Sequence, residues 1–302
     1  RALAKLAPFG GTGVHAKRED LAQRADAVMS TALDDEEGKV RAEALRMLLA
    51  WNAKKLEPAL RRAAGSRHKD TRLQVVKKLH EQQVGWADEL LLELVPDGSA
   101  EVGGAAYRAL TEHDEDAKAK VKKRCEKHRK NDALHLAGMS SPRPSVRALA
   151  CAGAGRWGKA KPLTQRLREL VDDENPLVHI AAIEAADALM HEDQEAFVRA
   201  FNSRHQALQV RAGELLGKRR DERAAEPMKR LLSIRVGELH CPSDEHRQRA
   251  ARALADIGHQ KSISFYVGLL DDDDSTVREM GARGLATACG PEEEQPLVDA
   301  LA

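Results

Sequence analysis

Residues 271–285 read Asp-Asp-Asp-Asp-Ser-Thr-Val-Arg-Glu-Met-Gly-Ala-Arg-Gly-Leu, and this stretch decides the fold. It opens with acidic residues and Ser275, which are typical of turns and helix N-caps. An aliphatic residue, Val277, follows, and small or apolar residues stand four, seven and eight positions after it. These offsets fall on one face of a helix with 3.6 residues per turn. The stretch therefore predicts a turn and then a helix whose small-residue face packs closely against a neighbouring helix.

The same sequence motif, an aliphatic residue followed by small or apolar residues at the fourth, seventh and eighth positions after it, occurs eight times along the chain with some variation. We call this motif the phrase. Its copies start at Val40, Thr71, Val102, Val146, Val178, Leu208, His246 and Val277. Most successive starts are 30–32 residues apart, and two gaps are longer, at 44 and 38 residues. Leu-rich amphipathic segments precede the turns, as in residues 89–94, 162–171, 226–232 and 264–270. With no alternating strand pattern, this periodicity predicts an all-α fold: an α-solenoid, or superhelix, of about eight repeats, each with a helix A, a turn and a helix B.

The composition narrows the class of protein. The chain has 302 residues, with 49 Lys+Arg against 48 Asp+Glu, and a net charge of +1 gives no overall attraction to nucleic acid or membrane surfaces. Charges interrupt the apolar runs, so we expect no membrane-spanning helix. The four cysteines are far apart and give no sign of a zinc site or a disulfide scaffold. Aromatic residues are only 3% of the chain, which fits helices that pack through alanine and glycine.

The turn-Asp, Val-Arg, x-x-Ala, x-x-Ala-Leu phrase is clearest at residues 34–48 and 271–285. It resembles the HEAT-repeat family, and in particular the short repeats of phycobilisome-lyase-like proteins, from about residue 20 to the end. The resemblance implies that helix B lines a concave face and that the arginine after the first aliphatic residue bonds to turn carboxylates of the adjacent unit. This structural role falls to Arg41, Arg72, Arg147, Arg247 and Arg278. The phrase departs at Gly103, His179 and Gln209, where the resemblance implies that the row of arginines is interrupted.

The two long gaps hold extra segments. Residues 116–132 contain eight lysines and arginines beside a thin apolar stripe, and they predict an additional basic helix. Residues 236–245 predict a loop insertion, a place where solenoids often carry binding features. Residues 1–7 read like the end of a helix B, and residues 292–301 like a helix A without its partner. We therefore expect residues 1–302 to form a single α-solenoid that is a segment of a longer protein.

Two sets of side chains are candidate binding residues. The first set lies on helix B beside the buried stripe and comprises Arg46, Arg108, Glu184, Arg252 and Arg283. The second set lies in the basic segment 118–130 and comprises Lys122, Lys123, Arg124 and Lys127. The basic segment fits either a solvated helix or a contact site for an acidic partner, whether phosphate backbone, anionic lipid or acidic protein. It has no interleaved aromatic residues for base stacking, which lowers the nucleic-acid option.

We find no motif for catalysis, a cofactor or a metal ion. Residues 9–13, Phe-Gly-Gly-Thr-Gly, lack the Lys-Ser/Thr ending and the preceding strand of a phosphate-binding loop. A hydroxylase family built on HEAT-like units binds two irons through repeated His-Glu pairs. This chain has only His80-Glu81 and His191-Glu192, about three repeats apart. We therefore expect no catalytic residue, no metal and no cofactor.

These observations favour a cytoplasmic, non-enzymatic scaffold or adaptor that binds a partner protein on the concave face of the solenoid. A second interpretation is nucleic-acid or polyanion binding through the basic segment 118–130. A third is a non-catalytic subunit of a lyase-like or other enzyme complex. We expect no membrane insertion, and the sequence leaves the oligomeric state open.

Overall fold

The fold is that of a computed structural model, and it is all helical where it is described. The structure describes residues 25, 27–51, 56–82, 84–113, 115–117, 119–189, 195–200, 203, 205–234 and 243–289. Within these ranges the chain forms helices and turns and no strand, which confirms the predicted all-α class. The two chain ends and most of the predicted loop insertion lie outside the described residues.

Sixteen α-helices follow the helical residues 27–32 in the described ranges. They are α1 (Gly38–Trp51), α2 (Leu56–Ala64), α3 (Lys69–Glu81), α4 (Gly85–Leu94), α5 (Ala100–Thr111), α6 (Ala119–Arg129), α7 (Asp132–Met139), α8 (Pro144–Trp157), α9 (Ala160–Leu170), α10 (Pro176–Leu189), α11 (Glu195–Ala200), α12 (Gln206–Lys218), α13 (Ala225–Ser233), α14 (Asp244–Ile257), α15 (Ile263–Leu269) and α16 (Ser275–Ala288). Short 3-10 turns precede α13 and α15.

The repeated phrase falls on every second helix, apart from one addition. The helices B are α1, α3, α5, α8, α10, α12, α14 and α16, and each contains one copy of the phrase. Residues 27–32 and the helices α2, α4, α7, α9, α11, α13 and α15 are the helices A. The helix α6 is additional, and it lies within residues 116–132, where the sequence predicts an additional basic helix.

The helices form two compact units, which divide between Glu126 and Lys127. In the first unit α1, α3 and α5 pack one on the next, and α2 and α4 pack along them. In the second unit the helices B from α8 to α16 form a layer of successive neighbours, and each is covered by its own helix A. Within each unit a repeat therefore contacts the repeats next to it in the chain, which is the arrangement of a helical solenoid.

Small residues bring neighbouring helices B into backbone contact. In α10 the side chains of Val178, Ala182 and Ala186 are buried at the predicted offsets. A methyl group added to Gly155 of α8 would lie only 2.8 Å from the Cα atom of Ala185 in α10. Larger side chains at such positions would force the helices apart, so the close packing explains why alanine and glycine dominate the phrase.

One polar residue builds the turn before seven of the eight helices B, and the corresponding position before α14 lies outside the described residues. It stands five places before the start of the phrase, where its side chain accepts a hydrogen bond from the backbone N–H two residues later. Carboxylates fill this place at Asp35, Asp97, Asp173 and Asp272, with N···O distances of 2.7–3.0 Å. Hydroxyl groups fill it at Ser66, Ser141 and Ser203, each at 3.2 Å.

An arginine of the preceding repeat binds three of these turn aspartates. Arg72 donates to both carboxylate oxygens of Asp97, at 2.7 and 2.9 Å, and Arg147 donates to both oxygens of Asp173, at 2.8 and 2.9 Å. The same guanidinium groups also donate to backbone carbonyls in the turns before their own helices. In the third pair, the Arg247 guanidinium donates to Asp272 at 2.7 Å. Arg72 and Arg147 thus each tie two successive turns together, and Arg247 links the end of α13 to the turn before α16.

The remaining phrase arginines depart from this scheme. Arg41 pairs at 2.5 Å with Asp70, near the start of α3, because the turn residue of that repeat is Ser66. Arg278 donates to the carbonyls of Asp272 and Asp273, and the turn after it lies outside the described residues.

The arginine row is interrupted where the phrase lacks this residue. Gly103, His179 and Gln209 stand in its place, and serines fill the turns that follow the first two of them. The side chain of Gln209 donates to the Ser203 carbonyl at 2.8 Å, as the arginines do to their own turns. His179 is buried, and its Nε2 atom has no hydrogen-bond partner among the described residues.

The first copy of the phrase also differs from the prediction. The pattern predicts a buried Val40, but this side chain is 41% exposed, and the adjacent Arg41 is buried in its place. Val40 is the third residue of α1, within the first turn of that helix.

Candidate functional site

A row of side chains, all exposed except the partly buried Glu214, follows the helices B, and we call it the ridge. It consists of the residue six places after each start of the phrase: Arg46, Lys77, Arg108, Ala152, Glu184, Glu214, Arg252 and Arg283. The five helix-B candidates from the sequence are all ridge residues, and all five are exposed. Sequence reasoning missed Lys77 and Glu214, although counting the same offset in every repeat would have found them.

In the second unit, ion pairs link the ridge across three neighbouring helices. Glu184 of α10 accepts a hydrogen bond from the Arg211 guanidinium of α12 at 3.1 Å. Arg211 also donates at 3.0 Å to Glu214, which accepts two further bonds from Arg249 of α14, at 2.6 and 2.8 Å. Burial alone would raise the pKa of Glu214, but the hydrogen bonds and charges of both arginines lower it below its usual range. The carboxylates of this part of the ridge are therefore neutralised by the protein itself.

The last two ridge residues of the second unit differ from each other. Arg283 of α16 donates to Asp256 of α14 at 2.6 Å, so its charge is also compensated. Arg252 is exposed and makes no ion pair with any residue that the structure describes.

In the first unit the ridge is basic throughout, and we call Arg46, Lys77 and Arg108 the basic ridge. Arg46 forms a two-point contact with Glu43 on the same helix, at 2.8 and 2.5 Å, and both side chains are solvent-exposed. Lys77 and Arg108 are exposed and have no ion-pair partner within the described ranges. Lys77 and Arg108 thus present positive charge to solvent that no ion pair with a described residue balances.

A cleft of about 500 Å³ lies between α3 and α5 beside the basic ridge. Val76, Ala105 and Ala109 supply its apolar lining, and Lys77 and Arg108 supply its positive charge. Its remaining lining residues are His80, Glu81, Glu112 and His113.

The side chains around the cleft are held in place by local contacts. The His80 ring nitrogen Nδ1 lies 3.2 Å from the Ala109 carbonyl oxygen, across from α3 to α5. The Arg108 guanidinium lies over Gly104, where an added methyl group would be in ordinary van der Waals contact with it, 3.6 Å from both terminal nitrogens.

The basic segment is used in part by the protein itself. Lys122 donates to the Glu115 carbonyl at 2.6 Å, whereas Lys123 and Lys127 are exposed. Arg124, predicted here as a surface contact, is buried: its Nε atom lies 2.5 Å from Asp88 Oδ1. Its guanidinium also donates to two backbone carbonyls near the end of α3. Arg124 therefore anchors α6 to α3 and α4, and its side chain is not an exposed surface residue.

The described residues hold no cluster suited to a metal ion and no membrane-spanning helix. No three His, Cys, Asp or Glu side chains within the described ranges are grouped to bind a metal. Glu81 pairs with Lys78 at 2.6 Å, and His191-Glu192 lies outside the described residues. None of the described helices is long and apolar enough to cross a membrane.

Comparisons with known proteins agree with this architecture. The sequence model of HEAT repeats matches residues 235–302. The crystal structure of the YibA protein of Escherichia coli superposes with a TM-score of 0.53 at 15% identity, and the alignment covers 92% of this chain and 98% of that one.

Two other solved structures match at lower TM-scores. An engineered protein has a TM-score of 0.47 at 18% identity. The alignment covers 91% of this chain and 82% of the engineered chain. Human deoxyhypusine hydroxylase in complex with glycerol has a TM-score of 0.33 at 18% identity. The alignment covers 89% of this chain and 98% of the hydroxylase chain. No curated protein sequence matches the chain. The chain is a helical-repeat protein, and its match to the HEAT-repeat family lies in residues 235–302.

Proposed function

We propose that this protein is a non-enzymatic scaffold or adaptor that binds a partner protein on its helix-B face, the concave face of a HEAT-like solenoid. The observation that carries the proposal is the ridge, because a mostly charged side chain recurs at the same offset in each repeat and is exposed in all of them except at Glu214. A surface of this kind makes many modest polar contacts over a large area, with a few anchors supplying most of the binding energy. A cytoplasmic location remains a prediction of the sequence.

The nucleic-acid interpretation has less support than partner-protein binding. It relied on the basic segment 118–130, where Arg124 is buried against Asp88 and Lys122 bonds to a backbone carbonyl. A non-catalytic subunit of an enzyme complex would use the same helix-B face, so we treat it as one kind of scaffold.

Site-specific photocrosslinking tests the proposal. A benzoylphenylalanine at Ala152, an exposed ridge residue of α8, should crosslink the full-length chain to a discrete protein in a lysate of the source organism. The matched control places the same group at Lys161, an exposed residue of the helix A α9. Discrete adducts from position 152 and none from position 161 are expected. Equal crosslinking from both positions, or none from either, would contradict a partner site on the helix-B face.

A further inference from the structure

We propose that the basic ridge binds an acidic, extended segment of the partner protein. This inference rests on the proposed function and adds the chemistry of the partner. It starts from a contrast between the units. In the second unit the ridge carboxylates are already bonded to Arg211 and Arg249. In the first unit three cations occupy the ridge instead.

The charge of the basic ridge is available to a ligand. Within the described ranges Lys77 and Arg108 form no ion pair. The pair between Arg46 and Glu43 is on the surface, where water competes with it and a ligand carboxylate can replace it. Of the two acidic residues that line the cleft, Glu81 is already bonded to Lys78, and Glu112 is exposed.

The spacing of the cations selects an extended ligand. They occur at residues 46, 77 and 108, once per repeat, on helices B that pack as successive neighbours. Packed helices have axes about 8–10 Å apart. A polyproline II segment has three residues per turn and rises about 3.1 Å per residue, so every third side chain repeats on one face after about 9 Å. A segment with an acidic residue at every third position therefore matches the cations one for one.

The cleft offers apolar contacts to the ligand residues that lie between the acidic ones. Val76, Ala105 and Ala109 give it an apolar lining beside the two cations. Burial of apolar side chains there adds a non-electrostatic contribution to binding, roughly in proportion to the area removed from water. Proline is well suited to these places because its ring is apolar and already holds the extended backbone.

The same surface is poorly suited to nucleic acid. Glu43, Glu81 and Glu112 lie among the cations and would repel a continuous phosphate backbone. The cleft lining contains no Phe, Tyr or Trp on which bases could stack. A peptide can place its carboxylates at the cations alone, which a phosphate backbone cannot do.

A defined peptide tests this inference with the full-length protein. Fluorescein-labelled (Glu-Pro-Pro)5 is the probe, and its binding is measured by fluorescence anisotropy at low salt. The double variant Lys77→Glu/Arg108→Glu should weaken binding at least about tenfold, because two attractions become repulsions. The matched control Lys161→Glu/Arg230→Glu reverses two exposed charges on helices A of the second unit and should change the affinity less than about twofold.

A charge swap distinguishes loss of the site from loss of the fold. The Lys77→Glu/Arg108→Glu variant should bind labelled (Lys-Pro-Pro)5 more tightly than the wild-type protein does, which a misfolded variant would not. Equal binding of (Gln-Pro-Pro)5 and (Glu-Pro-Pro)5 by the wild-type protein, or equal effects of the two double variants, would overturn the inference. The inference would also be overturned if the wild-type protein bound a 15-nucleotide oligothymidylate more tightly than it binds the acidic peptide. If the peptide fails while the crosslinks from position 152 persist, the scaffold proposal stands and the acidic partner does not.

Discussion

Asp173 shows how single residues hold neighbouring repeats in register. It lies in the turn before α10, and its side chain is only 8% exposed. It accepts two hydrogen bonds from Arg147 of the preceding repeat and one from the Asn175 N–H. Burial alone would raise the pKa of Asp173, but these hydrogen bonds and the Arg147 and Arg166 charges outweigh it and lower the pKa below its usual range.

We expect Asp173→Asn to destabilise the protein in a pH-dependent way. At pH 7 the variant should lose about 2 kcal/mol of unfolding free energy, because Arg147 then faces a neutral amide. The pKa of this carboxyl is lower in the folded state than in the unfolded state. Its contribution is therefore complete above the unfolded pKa of about 4 and is lost as the pH falls through the folded pKa.

Urea unfolding at a series of pH values checks this prediction. The difference between wild-type protein and Asp173→Asn should be largest at neutral pH and shrink below about pH 4. Asp172→Asn is the control, since this neighbouring carboxylate is 57% exposed and should contribute little. A difference that stays constant down to pH 3 would contradict the role assigned to the ionised carboxylate.

At the scale of the elements, contacts between helix backbones set the spacing of the stack. Gly217 of α12 faces α14, and a methyl group added there would lie 2.8 Å from the Ala253 carbonyl oxygen. Gly268 of α15 is the opposite case, because it is exposed and an added methyl group meets nothing within 4 Å. Two helical glycines thus have opposite requirements for space.

Gly217→Ala and Gly268→Ala should therefore change stability in opposite directions. Gly217→Ala should lower the unfolding free energy by about 1–3 kcal/mol, since α12 and α14 must move apart. Gly268→Ala should raise it by roughly 0.5 kcal/mol, because alanine favours a helix over glycine. Thermal unfolding followed by circular dichroism measures both variants. A stabilised Gly217→Ala protein would show that the two helices are not in close contact.

At the scale of the molecule, each unit is stabilised by contacts between successive repeats. In the second unit Ala250 is fully buried within an apolar cluster that includes Leu254, Tyr266 and Met280. Because a repeat contacts its neighbours in the chain, local damage should spread by one repeat on each side and then fade.

We expect Ala250→Asp to unfold the middle of the second unit locally. An unpaired buried carboxylate costs at least about 3 kcal/mol, and no cation among the residues of this cluster can compensate it. Hydrogen exchange read by mass spectrometry should become faster in α12, α14 and α16 and stay unchanged in α1 and α3. The control Ala152→Asp lies on the exposed ridge and should leave exchange unchanged. Exchange that becomes faster throughout the chain, or that does not change in any helix, would refute the alignment of the repeats.

The ridge was predictable in part from the sequence, and the basic segment was not. Arg108 and Glu184 were identified because the position of a residue on a helix face follows from its offset alone. Arg124 was wrongly placed on a surface, because a run of lysines and arginines looks equally solvated at every position. Only the packing of α6 against α4 brings Asp88 to that one guanidinium.

The sequence by itself determined the order of helix A, turn and helix B, because helical periodicity and turn chemistry act over a few residues. The tertiary structure decided which charges remain for a partner. Arg211 and Arg249 converge on Glu214, whereas Lys77 and Arg108 have no such acceptor among the described residues. That difference depends on which side chains neighbouring helices bring within bonding distance, and helices that are about 30 residues apart in sequence meet only in the folded stack.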